Sequence, residues 1–229
     1  MPELGADRVL VVTAHPDDAE FHFGATIAAL TSGGAAVSYL VCTDGVQGGP
    51  DDGTPDAEVA EVRAAEQRAA AAVLGVREVV FLGLRDGSLV PDLALRRAIA
   101  LHVRRARPDL VLTHFPRRVL ALPVEASHPD HVAVGEATLA ALDPDAGSAR
   151  ALPDGPPPHR VGEVWVPGYE HPDHFVDATP YLDRKAAAIG CHRSQVGDEA
   201  PEWVLAWMRM AGKQPGFAYA EHYRRIRLA

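Results

Sequence analysis

Four continuous apolar runs recur through the first half of the chain: "RVLVVTA" (8–14), "AVSYLVCT" (36–43), "EVVFLG" (78–83) and "DLVLTH" (109–114). Each is short and rich in β-branched residues, the pattern of a strand covered on both faces. Between them lie segments with helical spacing, over roughly 19–32, 56–74 and 92–106. Gly75 closes the second of these, and Pro108 stops the third. Regular alternation of strand and helix predicts right-handed βαβ units. The expected fold class is therefore α/β: a Rossmann-like, doubly wound, mostly parallel sheet with helices on both faces.

The pattern continues with a helix over 129–142. "DPDAGSARALPDGPPPHR" (143–160), dense in Pro, Gly and Ala, reads as a surface loop rather than a domain boundary. A fifth strand, "EVWVP" (163–167), and helices near 179–193 and 200–211 complete the expected map. A length of 229 residues suits a single domain, 1–229, better than two.

Composition narrows the class. The chain is 47% hydrophobic and 23% charged, which excludes a largely disordered protein. Its net charge of −9 lacks the basic surface that a phosphate-backbone binder needs, so nucleic acid is not an expected partner. Cys42 and Cys191 sit in apolar surroundings and read as two thiols in a reducing cytoplasm. The first apolar run is too short for a signal-peptide core or a membrane span and has no basic flank, so a cytoplasmic location is expected.

Ligands of open parallel sheets bind beyond the carboxyl ends of the strands. Polar residues stand at each of those ends: His15, Asp17 and Asp18 after the first run, and Thr43 and Asp44 after the second. Arg85 and Asp86 follow the third, and His114 ends the fourth. The first strand-to-helix turn reads "AHPDDAEFHFG", without the G-x-G-x-x-G of a dinucleotide site, and the glycines of "DGVQGGPDDG" (44–53) lack its spacing. A nicotinamide or flavin enzyme is disfavoured. His-Pro-Asp occurs three times: at His15 to Asp17, in "SHPDHV" from His128, and in "EHPDHF" from His171. Histidine and aspartate this close suggest a metal site, but one small site cannot use all three copies.

The chain resembles the PIG-L/LmbE-like de-N-acetylases. The resemblance is carried by "AHPDD" (14–18), "TDG" (43–45), Arg63 with Glu66, "LGLRDG" (82–87), "SHPDH" (127–131) and "HRSQ" (192–195). It implies a zinc-dependent N-deacetylase in which His15, Asp18 and His131 hold the metal and Asp17 is the general base. His128 would stabilise the oxyanion, with Asp130 as its carboxylate partner. Arg63 and Asp86, together with Asp44 and His192, would lie at the substrate. The implied reaction is hydrolysis of an N-acyl amide, most simply N-acetyl, on an amino sugar or glycoside by metal-bound water.

The chemistry of these side chains is compatible with that role. Two imidazoles and a carboxylate leave an open position on Zn²⁺, though the set also accepts Fe²⁺. Of two adjacent aspartates, one can turn to the metal and the other to the water. Pro129 suits the first position of a helix, which would present His128 and His131 together. The HPDH at His171 to His174 is expected to be a decoy, running into "FVDAT" instead of an apolar helix. His22, His102, His159 and His222 have no partner at motif spacing and read as surface or packing residues. His114 has only its position in its favour.

The family often carries a short polar link, frequently with Tyr or Asn, just before HPDH. Here the link is "FPRRVLALPVEA" (115–126), long and apolar, and no tyrosine occupies that place. Its Val119, Leu120, Leu122 and Val124 are expected either to wall the substrate cleft or to pack on the body. Two alternatives stay open at this stage: an amidase of a thiol conjugate or secondary metabolite using the same site, and a non-catalytic sugar- or nucleotide-binding module. Homo-oligomerisation is also left open.

Overall fold

The computed structural model describes residues 5–120, 122, 127–196 and 202–228. Seven strands form one sheet: β1 (Arg8–Thr13), β2 (Ala36–Thr43), β3 (Glu78–Leu84), β4 (Leu110–Thr113), β5 (Glu163–Pro167), β6 (His174–Asp177) and β7 (Ala220–Arg227). Their spatial order is β3-β2-β1-β4-β5-β7-β6. β1 pairs in parallel with both β2 and β4, setting Val9 opposite Val37 on one side and Leu110 on the other. The chain thus winds outwards in both directions from β1, and the switch point lies between β1 and β4.

The helices are α1 (Asp18–Ser32), α2 (Asp56–Val73), α3 (Leu93–Ala106), α4 (Pro129–Ala140), α5 (Leu182–Ile189), α6 (Arg193–Val196) and α7 (Glu202–Gly212). Alternate residues of β1 point to opposite faces, as the pleat requires. Val9 and Val11 join Phe23, Ile27, Leu74, Ile189 and Met208 on the face covered by α1, α2, α5 and α7. Leu10 and Val12 join Ile99, Val103, Val134 and Val164 on the face covered by α3 and α4. This double coverage explains why β1, β2 and β4 read as unbroken apolar runs, whereas β3, at the edge of the sheet, is only partly covered.

Two strands were not in the expected map. β7 runs antiparallel between β5 and β6, pairing Val164 with Ile226 and Val176 with Glu221. Its sequence, "AEHYRRIR", is too charged to signal a strand. Glu221 is nevertheless buried, with an ion pair to Lys185 at 2.6 Å, and Tyr223 beside it is 1% exposed. The expected helix from 179 begins as a short turn and becomes α5 only at Leu182.

The loop after α4 is held from within. Arg104 is 2% exposed. Its Nε and two Nη groups donate to the carbonyls of Ala146, Leu152, Pro156, Asp145 and Ser148, at 3.1, 2.9, 3.0, 2.7 and 2.5 Å. A guanidinium has five N–H donors, so the set is saturated. Arg104→Met should therefore leave five carbonyls without their donor and cost about 3 kcal/mol. Urea unfolding followed by circular dichroism measures this, and a loss below about 1 kcal/mol would mean that the loop stands without its arginine.

Candidate metal centre and substrate cleft

The turn after β1 brings the first motif to the switch point. Asp17 has φ 104°, a left-handed backbone that a non-glycine residue adopts only when its surroundings enforce it. Its amide donates to Gln67 Oε1 at 2.8 Å. Arg63 Nη2 donates to Asp17 Oδ2 at 3.0 Å and to the Pro16 carbonyl at 2.6 Å, while Nη1 donates to the Gly45 carbonyl at 2.5 Å. Gln67 is held in turn by Glu20, through Nε2 contacts of 3.1 and 3.0 Å. Glu20 is fully buried and also takes the Tyr39 hydroxyl and His192 Nε2, at 3.2 and 3.1 Å.

His192 is thus enclosed and reaches the site only through Glu20 and Gln67. Arg63, 4% exposed, commits its terminal nitrogens to the loop carbonyls and Asp17. Both were expected at the substrate. In the structure their side chains are engaged with Asp17 and Glu20, as a buried guanidinium and a buried imidazole need fixed partners. The "HRSQ" segment clasps α2: Ser194 bonds Glu66 through its amide and hydroxyl, at 2.8 and 2.6 Å.

The second motif arrives on α4. His128 is the N-cap, with Nδ1 accepting the Asp130 amide at 3.2 Å, and Pro129 opens the helix. α4 presses closely on the end of β4; a Cβ on Gly135 would stand 2.5 Å from the His114 carbonyl. This approach seats His131 against the first turn. His15 Nδ1 and His131 Nε2 are 3.2 Å apart. Asp18 closes the triangle, with Oδ1 at 3.0 Å from His131 Nε2 and Oδ2 at 3.4 Å from His15 Nδ1. Bonds of about 2.0–2.1 Å to a tetrahedral ion place neighbouring donors about 3.3 Å apart; each imidazole nitrogen meets a different oxygen of Asp18 at about that spacing, and the donor chemistry suits a metal.

The other face of His15 is fixed by carboxylates. Its Nε2 lies 3.0 Å from Asp86 Oδ1 and 3.3 Å from Asp130 Oδ2. Asp130 also accepts the amides of Gly87 and Leu89, and Asp86 accepts that of Gln47. Orientation of a ligating histidine through its second nitrogen is the usual arrangement in metal sites. The expected Asp130 partner was His128. The carboxylate instead turns to His15, and His128 receives only the Asp130 backbone N–H. Asp86, expected at a sugar, is 5% exposed and engaged with His15. Asp44 remains half-buried at the rim, with Oδ1 accepting the amides of Val46 and Asp86.

Charge follows geometry. Burial alone would lower the pKa of His15, but Asp130, Asp18 and Asp86 raise it to about 12. The position favours positive charge. Burial raises the Asp18 carboxyl, yet His131 and His114 pull it well below the usual carboxylate range. Asp17 is pushed up to about 7 by burial and the neighbouring Asp18, against Arg63 and His192. Burial and the nearby His15 and His131 keep His128 below its ordinary value.

His22 and Tyr169 escaped the sequence reading, which singles out His114 by its position alone. His22 lies one helical turn beyond Asp18, a spacing that puts both on one face of α1. It packs edge-on against His114 and His131, and Tyr169 Oη is 3.4 Å from its Nδ1. His114 Nε2 accepts the Ala14 amide at 3.0 Å and lies 3.2 Å from Asp18 Oδ2. His114 and His131 stack face to face at 4.1 Å, so their in-plane nitrogens do not converge on a second ion with His22.

Beyond His131 and Asp18 opens a cleft of about 440 Å³. Its walls include Phe21, Tyr169, Trp203, Val204, Trp207 and Met208, and Lys185 and Glu221 lie at its floor. From the 115–126 link, Leu122 lines the cleft, Val119 is buried and Leu120 is 91% exposed. Val124 lies outside the described residues. The HPDH of residues 171–174 stands apart. His174 pairs with Tyr223 in the sheet and packs on Trp165, 4.3 Å between centroids. Among the described residues, the groups whose donor atoms all lie close enough to share a metal are His15–His128–His131, His22–His114–His131 and His15–Asp86–Asp130, and neither His171 nor His174 joins them.

The Rossmann-like sheet thus carries a cluster of histidines and aspartates, residue types that could hold a metal, at its switch point. Residues 10–142 match the family described as PIG-L: GlcNAc-PI de-N-acetylase. The chain belongs to this family. It is 32% identical to diacetylchitobiose deacetylase of Thermococcus kodakarensis, over 95% of this chain and 82% of the relative. It is 30% identical to 1D-myo-inositol 2-acetamido-2-deoxy-alpha-D-glucopyranoside deacetylase of Kineococcus radiotolerans, covering 96% and 77%. N,N'-diacetylchitobiose deacetylase from Pyrococcus horikoshii, solved with its inhibitor, superposes with a TM-score of 0.87 at 28% identity, covering 99% of this chain and 86% of that one. The relatives are hydrolytic N-deacetylases, and no described helix is long and apolar enough to cross a membrane.

Replacing His171 and His174 together by Ala should leave bound Zn²⁺ near one equivalent, whereas His131→Ala should lose most of it. Metal analysis after gel filtration distinguishes the two. Loss of metal from the double variant would reassign the ligand set.

Proposed function

We propose that this chain removes an N-acyl group from an amino sugar or glycoside by metal-dependent hydrolysis, with Zn²⁺ at His15, Asp18 and His131. The observation that carries the reading is the cluster of His15, Asp18 and His131, whose donor atoms meet pairwise at 3.0–3.4 Å, with Asp17 the residue next to Asp18 in the same turn. The relatives' N-acetyl sugar substrates support the acyl acceptor. Fe²⁺ suits the same donors.

A zinc ion held there would supply Lewis-acid polarisation and would lower the pKa of a bound water from about 15.7 to about 7. Asp17, with a carboxyl near neutrality, accepts a proton from the attacking water and returns it to the departing nitrogen. Water adds to the carbonyl carbon, the C–N bond breaks, and a carboxylic acid and a free amine leave. His128 accepts a backbone N–H at Nδ1, so its Nε2 carries the proton and can donate to the developing oxyanion. Asp86 and Asp130 hold His15 in the tautomer that leaves Nδ1 free for the metal. Asp44, at the rim, is the carboxylate available to a sugar hydroxyl. β5 to β7 complete the sheet begun within residues 10–142, which supports one catalytic unit over the whole chain.

Asp17→Asn should retain metal and lose about 10²–10⁴-fold in kcat, because an amide cannot take the proton. Amine release from N-acetylglucosaminides, read with an amine-reactive fluorophore, measures it. Retention of more than about a tenth of kcat would remove Asp17 from the role of base. Gln67→Met should also lower kcat more than KM, with metal content unchanged, since it deletes the acceptor of the Asp17 amide. Metal loss in that variant would make Gln67 a support of the ligands instead.

A further inference from the structure

The site has two unlike sides. Sheet order puts the loops after β2 and β3 on one flank of the His15–Asp18–His131 triangle, and β5, β7 and α7 on the other. The first flank is polar: Asp44 and Asp86 anchor it, and Gln47 is exposed at its edge. The second is the aromatic cleft of about 440 Å³, within the roughly 300–1,000 Å³ range of pockets that enclose whole small molecules.

The scissile amide must present its carbonyl carbon at the triangle, so its two substituents leave in opposite directions. The nitrogen carries the hydroxylated sugar, whose hydrogen-bonding groups match the polar flank. The carbon substituent then points into the cleft, where Phe21 and Trp203 stack at 5.5 Å and Trp207 lies edge-on to Tyr169 at 6.3 Å. An acetyl methyl would leave most of that space unfilled.

The floor of the cleft does not ask for a charged ligand. Lys185 Nζ is 2.6 Å from Glu221 Oε1 and 2.7 Å from the Phe21 carbonyl. Glu221 further accepts the amides of Ala25 and Thr26 and the Tyr223 hydroxyl, at 3.0, 2.7 and 2.9 Å. The two charges neutralise each other within the protein, and the remaining surface offered to a ligand is mainly apolar.

We propose that the aromatic cleft is an acyl-chain subsite, and that the substrate's N-acyl group is an apolar chain longer than acetyl. The inference rests on the hydrolase reading above and deepens it.

The test compares N-acetyl-, N-butanoyl-, N-hexanoyl- and N-octanoyl-glucosamine as substrates of the zinc-loaded protein, with octyl N-acetylglucosaminide as a fifth probe. Each buried methylene adds binding, so kcat/KM should rise by at least about tenfold from acetyl to hexanoyl. Met208→Trp, which fills the cleft, should depress the hexanoyl rate at least about tenfold more than the acetyl rate. Trp207→Ala, checked for an unchanged unfolding midpoint, should flatten the chain-length series.

A binding arm needs no turnover. Two of the three tryptophans, Trp203 and Trp207, line the cleft, so their fluorescence should respond to the hexanoyl compound at lower concentration than to the acetyl one. Equal or better hydrolysis of the acetyl compound, with no chain-length trend in fluorescence, overturns the subsite while leaving the hydrolase reading intact. A gain confined to the octyl glycoside assigns the cleft to the aglycone and also overturns it. Absence of hydrolysis for every compound overturns the reaction, and the fluorescence series then decides the subsite by itself.

Discussion

Three buried carboxylates crowd one imidazole at the switch point, and much of the surrounding chain is arranged to make that tolerable. Asp18, Asp86 and Asp130 all lie within 3.4 Å of a nitrogen of His15. Negative charge without solvent is costly unless it meets donors or cations. The loops after β2 and β3 supply the donors: the amides of Gln47, Gly87 and Leu89 turn inward to Asp86 and Asp130. A proton on His15 supplies the cation when no metal is held, and a metal at its Nδ1 would take that proton's place. The two loops are therefore shaped as much by the charge they neutralise as by any ligand they meet.

Asp17 shows the same economy in the backbone. Its left-handed conformation points its side chain away from Asp18, so two consecutive aspartates serve different partners. The strain persists because the amide is tied to Gln67, and Gln67 to a buried Glu20 that His192 and Tyr39 also hold. Residues from α1, β2, α2 and the start of α6 converge on a single peptide unit. Arg63 completes the enclosure from the carboxylate side.

How far this was legible in the sequence depends on whether the deciding contacts are local. β1, β2, β4 and β5 announce themselves, because helices on both faces demand unbroken apolar runs. β7 does not: its arginines face outward at a partly solvated flank, and Glu221 is buried against Lys185, 36 residues earlier. The motifs "AHPDD" and "SHPDH" are short and self-contained, so the side chains that gather around His15 and His131 could be read from them. The partners of those residues could not. Asp130 passes over its near neighbour His128 for His15, 115 positions away. His192 and Arg63, expected to face a ligand, turn inward because Glu20 and Asp17 need them. His22 carried a usable signal, its one-turn spacing from Asp18, but spacing alone cannot say which face of α1 meets α4.

The placement of β7 also has a consequence for the order in which the protein becomes competent. The proposed donors His15, Asp18 and His131 draw on the turn after β1, the start of α1 and the start of α4, all in the first 131 residues of the chain. The cleft's floor and outer wall need α7 and β7, and β7 must insert between β5 and the waiting β6. A nascent chain can thus gather its ligating side chains well before it owns a place to hold a substrate. Metal capture and substrate recognition would mature at different moments of synthesis, with hydrolysis withheld until the sheet is closed.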